Sequence, residues 1–146
     1  MKEIKAPNKI KYIGYTLFLA GSIEMGKAEK WQDKVVRLLK DTGIVIFNPR
    51  RDDWDSSWEQ DINNKQFREQ VEWELSEMEI ADRILMYFDP KTKSPISLLE
   101  LGLFADSRKM VVVCPAGFWK KGNVDIVCRR YELKQADTIE EALKFI

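Results

Sequence analysis

Residues 15–26, YTLFLAGSIEMG, decide how the rest of the chain is to be folded. The first six are a short, continuous apolar run of the kind that forms a strand buried on both faces. The next six put Gly21 and Gly26 around polar residues, a strand-to-helix turn whose backbone N–H groups offer a cradle for a phosphate or a sugar hydroxyl. Helical spacing then runs from about Lys27 to Lys40, with Trp31, Val35, Leu38 and Leu39 on one side. Strand, glycine turn and helix together are the opening unit of a parallel α/β sheet.

The same unit recurs along the chain. Buried strands are predicted at 44–47 (IVIF), 83–88 (RILMYF) and 109–115 (KMVVVCP), with a short final one within LKQAD, 133–137. Helices are predicted at 61–80, 94–107 and 124–131, and a last one is capped by Thr138 and runs to Ile146. Strands of this kind alternating with helices predict a flavodoxin-like, doubly wound, five-stranded parallel sheet in three α/β/α layers, of order 2-1-3-4-5. The whole chain, 1–146, reads as one domain whose first ten or so residues fray. In that order a ligand crevice opens at the carboxyl ends of the strands at 15–20 and 83–88. The loops at 21–26 and 89–95 flank it.

Bulk composition bounds the partners. The 146 residues carry 24 basic and 24 acidic side chains, so no cationic surface favours a nucleic acid polymer. No apolar run reaches the ~20 residues of a membrane span, and no secretory signal opens the chain. Cys114 and Cys128 are read as free thiols of a cytoplasmic protein. Histidine is absent, which removes Ser-His-Asp and Cys-His catalysis and leaves carboxylates as the natural acid–base groups.

Two carboxylates fall where apolar residues belong. In SPISLLELG, 94–102, the neighbours of Glu100 at helical distance are Ile96, Ser97, Leu103 and Phe104. Glu100 lies in the first two turns of a helix that starts at the crevice. In the long helix, Phe67, Val71, Leu75 and Met78 define an apolar stripe, and Glu74 falls on it while Glu69, Glu72, Glu77 and Glu79 lie largely off it. Each acid has a plainer role as a boundary residue reaching water, since most glutamates are exposed. Two in one crevice suit chemistry at an anomeric carbon, where one attacks and the other protonates the departing group.

FLAGSI (18–23), the acid-rich helix ending in Ala81-Asp82, SPISLLELG (94–102) and GNVDI (122–126) together resemble the nucleoside 2-deoxyribosyltransferase-like family, related to the 2′-deoxynucleoside 5′-monophosphate N-hydrolases. The resemblance spans roughly Tyr15 to Tyr131. It implies that Glu100 is the nucleophile forming a covalent glycosyl ester, and that Glu74 stands where the family usually has an Asp assisting the leaving base. Gly21, Ser22 and Ile23 then line the substrate site, and Ser94 meets the 5′ side of the sugar. Asn123 reaches the 5′ side of a neighbouring subunit's site. Ser94 is the residue of the monophosphate hydrolases and Asn123 that of the nucleoside transferases, and the balance is read towards a phosphate-tolerant site. Lys91 and Lys93 add positive charge nearby. Arg50 and Trp54, with Arg51 and Trp58, stack over the base or else pack on one another as a surface loop. The implied protein is an enzyme that needs no metal and no organic cofactor, takes a small nucleoside or nucleotide, and works as a homodimer or larger homo-oligomer with shared sites. The alternatives are a nucleotide-binding module without turnover and an N-glycosidase of another nucleotide such as NAD.

Overall fold

The computed structural model describes residues 1–24 and 28–146. Six parallel strands form one sheet: β1 (Lys2–Lys5), β2 (Thr16–Gly21), β3 (Val45–Asn48), β4 (Arg83–Tyr87), β5 (Met110–Val113) and β6 (Lys134–Ala136). Their order is β1-β3-β2-β4-β5-β6. The five expected strands occur in the expected order, with the switch between β2 and β4. The sheet has six strands rather than five because the N-terminus does not fray. Lys2–Lys5 pair in parallel with Val45–Asn48 on the outer edge of β3. Ile4 is buried there, and Asn48 Nδ2 donates to Glu3 Oε1 at 2.7 Å. One apolar side chain in KEIK is too little pattern to show a strand, yet the open backbone edge of β3 supplies the partner.

Alternate strand residues point to opposite faces and build two cores. Leu17, Leu19, Ile46, Leu85, Val111 and Val113 meet α1 (Trp31–Leu38) and α5 (Ile139–Ala142) through Trp31, Val35, Ile139 and Ala142. Phe18, Ala20, Phe47, Ile84, Met86 and Val112 meet α2 (Lys65–Ile80), α3 (Pro95–Phe104) and α4 (Lys121–Arg130) through Trp73, Met78, Leu101, Val124 and Cys128. This is the flavodoxin-like three-layer fold. Among the described residues no helix is long and apolar enough to cross a membrane.

Helix bounds shift for local reasons. The expected start of α1 at Lys27 lies outside the described residues, and Leu38 points outward while Gln32 joins Trp31 and Val35 inside. Asn64 caps α2 by accepting from the Phe67 N–H, so the helix begins at Lys65 and residues 61–63 form a turn. The buried line of α2 is Gln70, Trp73, Glu77 and Met78. Phe67, Val71 and Leu75 are only half-buried, and Glu77 faces inward rather than off the stripe. A large Trp at position 73 turns the helix about its axis by its own claim on the core. α4 is longer than expected, and the last helix is capped by Thr138 as expected.

Candidate active site

The site begins with a close approach between two backbones. Gly21 has φ +134, and a Cβ on it would lie 2.1 Å from the Tyr87 carbonyl oxygen. No other residue fits this position. The bare backbone lets β2 lie tight on β4 and then turn, with the Ser22 N–H donating to Tyr87 O at 2.9 Å. Trp31 Nε1 donates to Ser22 O at 3.0 Å from below.

Ser22 is thereby held over the ends of both central strands and starts a buried hydroxyl cluster. Its Oγ lies 2.6 Å from Ser94 Oγ and accepts from the Asp89 N–H at 2.8 Å. Thr92 Oγ1 lies within 3.0 Å of both serine hydroxyls. Ser94 is the residue before α3, with Pro95 as the first helical residue. Its own N–H donates to the Glu24 carboxylate. Both ends of that bond have left-handed backbone, φ 48 at Glu24 and φ 46 at Ser94, a region that non-glycine residues seldom occupy. Of GSIEMG, Gly21 ends β2 and Ser22 and Ile23 follow it at the carboxyl end of the sheet, while Met25 and Gly26 lie outside the described residues.

The two acids come from neighbouring helices on one face of the sheet. Glu100 is in the second turn of α3 and is 8 % exposed. Glu74 is in α2, half-buried as a residue. Burial raises the Glu74 carboxyl to about 7, opposed by a hydrogen bond from Gln70 Nε2 at 2.7 Å. Burial first, and the charge of Glu74 second, together raise Glu100 to about 8. Like charge on Glu74 opposes ionisation of Glu100, so the two carboxyls are electrostatic neighbours. Gln70 was not foreseen. It also donates to Pro49 O at 2.9 Å, which ties the acid helix to the loop after β3, and its own Oε1 is buried without a partner among the described residues. The signal was available, since Gln70 precedes Glu74 by one helical turn.

Other candidates sit elsewhere. The Arg50 guanidinium is buried and donates to the carbonyls of Ala28 and Glu29, both at 3.0 Å, so it clamps the segment leading into α1. Trp54 packs edge-on against Trp58 with ring centroids 5.1 Å apart, and Arg51 lies over the Trp58 ring. That loop therefore holds itself together. Asn123 is exposed on the first turn of α4. Lys93 Nζ sits 4.4 Å from the Trp119 ring centroid. Asp82 of the Ala81-Asp82 pair is at the opposite end of the sheet, exchanging hydrogen bonds of 2.7–2.9 Å with Thr16. Cys114 and Cys128 are free and buried, and burial pushes their thiols up to about 11 and about 12. Neither is a thiolate at neutral pH.

Two desolvated acids whose charges act on one another, in a chain with no histidine, can exchange protons and attack carbon. A family described as "nucleoside 2-deoxyribosyltransferase like" matches residues 14–118, which span all of these groups except Trp119, Asn123 and Cys128. No curated protein matches the chain. The chain belongs to the nucleoside 2-deoxyribosyltransferase-like family.

Proposed function

From that membership we propose that the protein cleaves the N-glycosidic bond of a 2′-deoxynucleoside or its 5′-monophosphate, with Glu100 as nucleophile and Glu74 as proton donor. The observation that carries the reading is the desolvated Glu74–Glu100 pair, from two helices, each carboxyl raised and one acting on the other. Near neutral pH such a pair holds about one proton between its members. Positive charge developing at C1′ favours the ionised form of the acid nearest to it, Glu100, and leaves the proton on Glu74.

In the first step an oxygen of Glu100 bonds to C1′ as the C1′–N bond breaks. The electron pair of that bond goes to the base, which takes the Glu74 proton. In the second step an acceptor base or water attacks C1′, the ester bond breaks back to the Glu100 carboxylate, and Glu74 recovers a proton from the incoming group. Gly21, Ser22, Ile23 and Ser94 seat the sugar, and Arg50 acts by fixing the loop beside them. Trp54 is offered as the outer wall of the base pocket. Family membership supports glycosyl transfer and a small-molecule nucleoside ligand at this coarse level. No metal or organic cofactor enters the steps.

We further propose a cytoplasmic homodimer, or a larger homo-oligomer, with shared sites. The support is α3 itself. Ile96, Leu99 and Leu103 line its outer face and are 59 %, 58 % and 57 % exposed, while Ser97, Glu100 and Leu101 are buried on its inner face. A second copy on that outer face would bury the stripe and could bring its Asn123 to the 5′ side of the site.

The test is to incubate the protein with each deoxynucleoside and deoxynucleotide, with and without acceptor bases, and to follow free base by chromatography. Release or exchange that disappears in Glu100→Ala is the expected result. Wild type that releases no base from any of them refutes the substrate class, and full activity in Glu100→Ala refutes the mechanism.

A further inference from the structure

We propose that Glu24 is a specificity-determining residue that makes the site select a free 5′-hydroxyl over a 5′-phosphate. The inference rests on the proposed function and goes beyond it by naming the substrate class. It also reverses the balance that Ser94 and the nearby lysines suggested from sequence.

The geometry along α3 locates the 5′ end. From Ser94 to Glu100 the helix rises about 9 Å. Helical side chains lean towards the N-terminus, so the Glu100 carboxyl reaches back over part of that rise. The remaining length is roughly one pentose ring. A sugar with C1′ at Glu100 therefore has its 5′ group near the first turn of α3 and the Ser22–Ser94–Thr92 hydroxyls.

That place already holds an anion. The Glu24 carboxylate accepts from the Ser94 N–H at the positive end of the helix dipole, where a phosphate would take its strongest backbone contact. A second carboxylate is close by. Asp89 is buried, its N–H is bonded to Ser22 Oγ, and its own oxygens accept from the N–H groups of Lys91 and Glu29. Lys93, which precedes Ser94, is drawn over Trp119, whose Nε1 donates to Lys93 O at 2.9 Å. A 5′-monophosphate with close to two negative charges meets like charge here. A 5′-hydroxyl can instead donate to the Glu24 carboxylate, which has a second oxygen to offer, and accept from the serine and threonine hydroxyls.

The experiment compares a 2′-deoxynucleoside with its own 5′-monophosphate in wild type, Glu24→Gln, Glu24→Ala and, as a charge control on the same segment, Glu29→Gln. Base release gives kcat/KM, and calorimetric titration in a Glu100→Gln background gives Kd without turnover. Wild type and Glu29→Gln are expected to favour the nucleoside at least tenfold. Both Glu24 variants are expected to cut that preference by tenfold or more, mainly through a lower KM and Kd for the monophosphate. A wild type that takes the monophosphate equally well or better, with the ratio unchanged in both Glu24 variants, overturns the selector and leaves the glycosidic reaction standing. Equal losses on both ligands make Glu24 a loop-holding residue and also overturn it. If no form releases base and neither ligand binds, the underlying function fails and the selector with it.

Discussion

In the proposed mechanism Glu74 and Glu100 act as a pair, and their chemistry follows from where a shared proton goes. The proposed reaction needs Glu100 ionised and Glu74 protonated. A profile of kcat/KM against pH should therefore be bell-shaped, with both limbs near 7–8 rather than near 4.5. Replacing Glu74 by Gln should lower base release about 10²–10³-fold and remove the alkaline limb. Gln70→Leu deletes the hydrogen bond that holds Glu74 down, so the alkaline limb should move to higher pH. The same burial affects stability, with a definite sign. Each acid has a folded-state pKa above its ordinary value, so the folded chain keeps protons that the unfolded chain releases. That contribution is complete below about pH 4.5 and is lost as pH rises through about 7 and about 8. Glu100→Gln should thus match wild type in stability at pH 4 and exceed it at pH 8.5, by roughly 2–5 kcal/mol in urea titration. Equal stability of the two proteins at both pH values would show that the Glu100 carboxyl is not desolvated. Glu100 was legible in the sequence because an acid stood among Ile96, Leu103 and Phe104. Glu24 was not, because it matters through a partner it meets only after folding, whereas Gln70 stands one helical turn before Glu74 and was overlooked.

At the scale of elements, the two ends of the central strands do different work. At the carboxyl ends, Gly21 lets β2 touch β4. Gly21→Ala drives a methyl into the Tyr87 backbone, and the expected loss is about 3 kcal/mol of stability together with misplacement of Ser22. Circular dichroism in urea reads the first and base release the second. At the amino ends, Asp82 and Thr16 exchange hydrogen bonds, which hold the Asp82 carboxyl below its usual range. Asp82→Ala is expected to remove about 1 kcal/mol, modest because water screens this exposed site, and to leave kcat unchanged. The Asp82 contribution is present above the ordinary carboxylate pKa and is lost as pH falls through its depressed value. The alternation of strands and helices was readable because apolar runs of four to six residues can be buried only in a covered parallel sheet. The rotation of α2 was not readable. Its stripe was drawn through Phe67, Val71 and Leu75, whereas Trp73 beneath Phe18 and Phe47 sets which side faces the sheet.

At the scale of the molecule, α3 is apolar on two sides for two reasons. Its inner side packs on the sheet and carries Glu100, and its outer side is exposed, where the proposed second copy would dock. Leu99→Lys should therefore convert the proposed oligomer to a monomer in sedimentation velocity while the single chain stays folded, since Leu99 lies outside the core. A wild type that sediments as a monomer at micromolar concentration would remove the shared-site proposal. The sequence by itself determined the layer order, the switch point between β2 and β4, and the family, because these follow from hydrophobic runs and from short motifs that local geometry demands. Tertiary structure alone decided that Lys2–Lys5 would complete the sheet, that Arg50 would be occupied by the carbonyls of Ala28 and Glu29, and that a carboxylate from the β2 loop would sit at the start of α3. Those outcomes depend on which backbone groups are left unpaired once the chain has closed, and unpaired groups take partners by proximity in space, which no periodicity along the chain records.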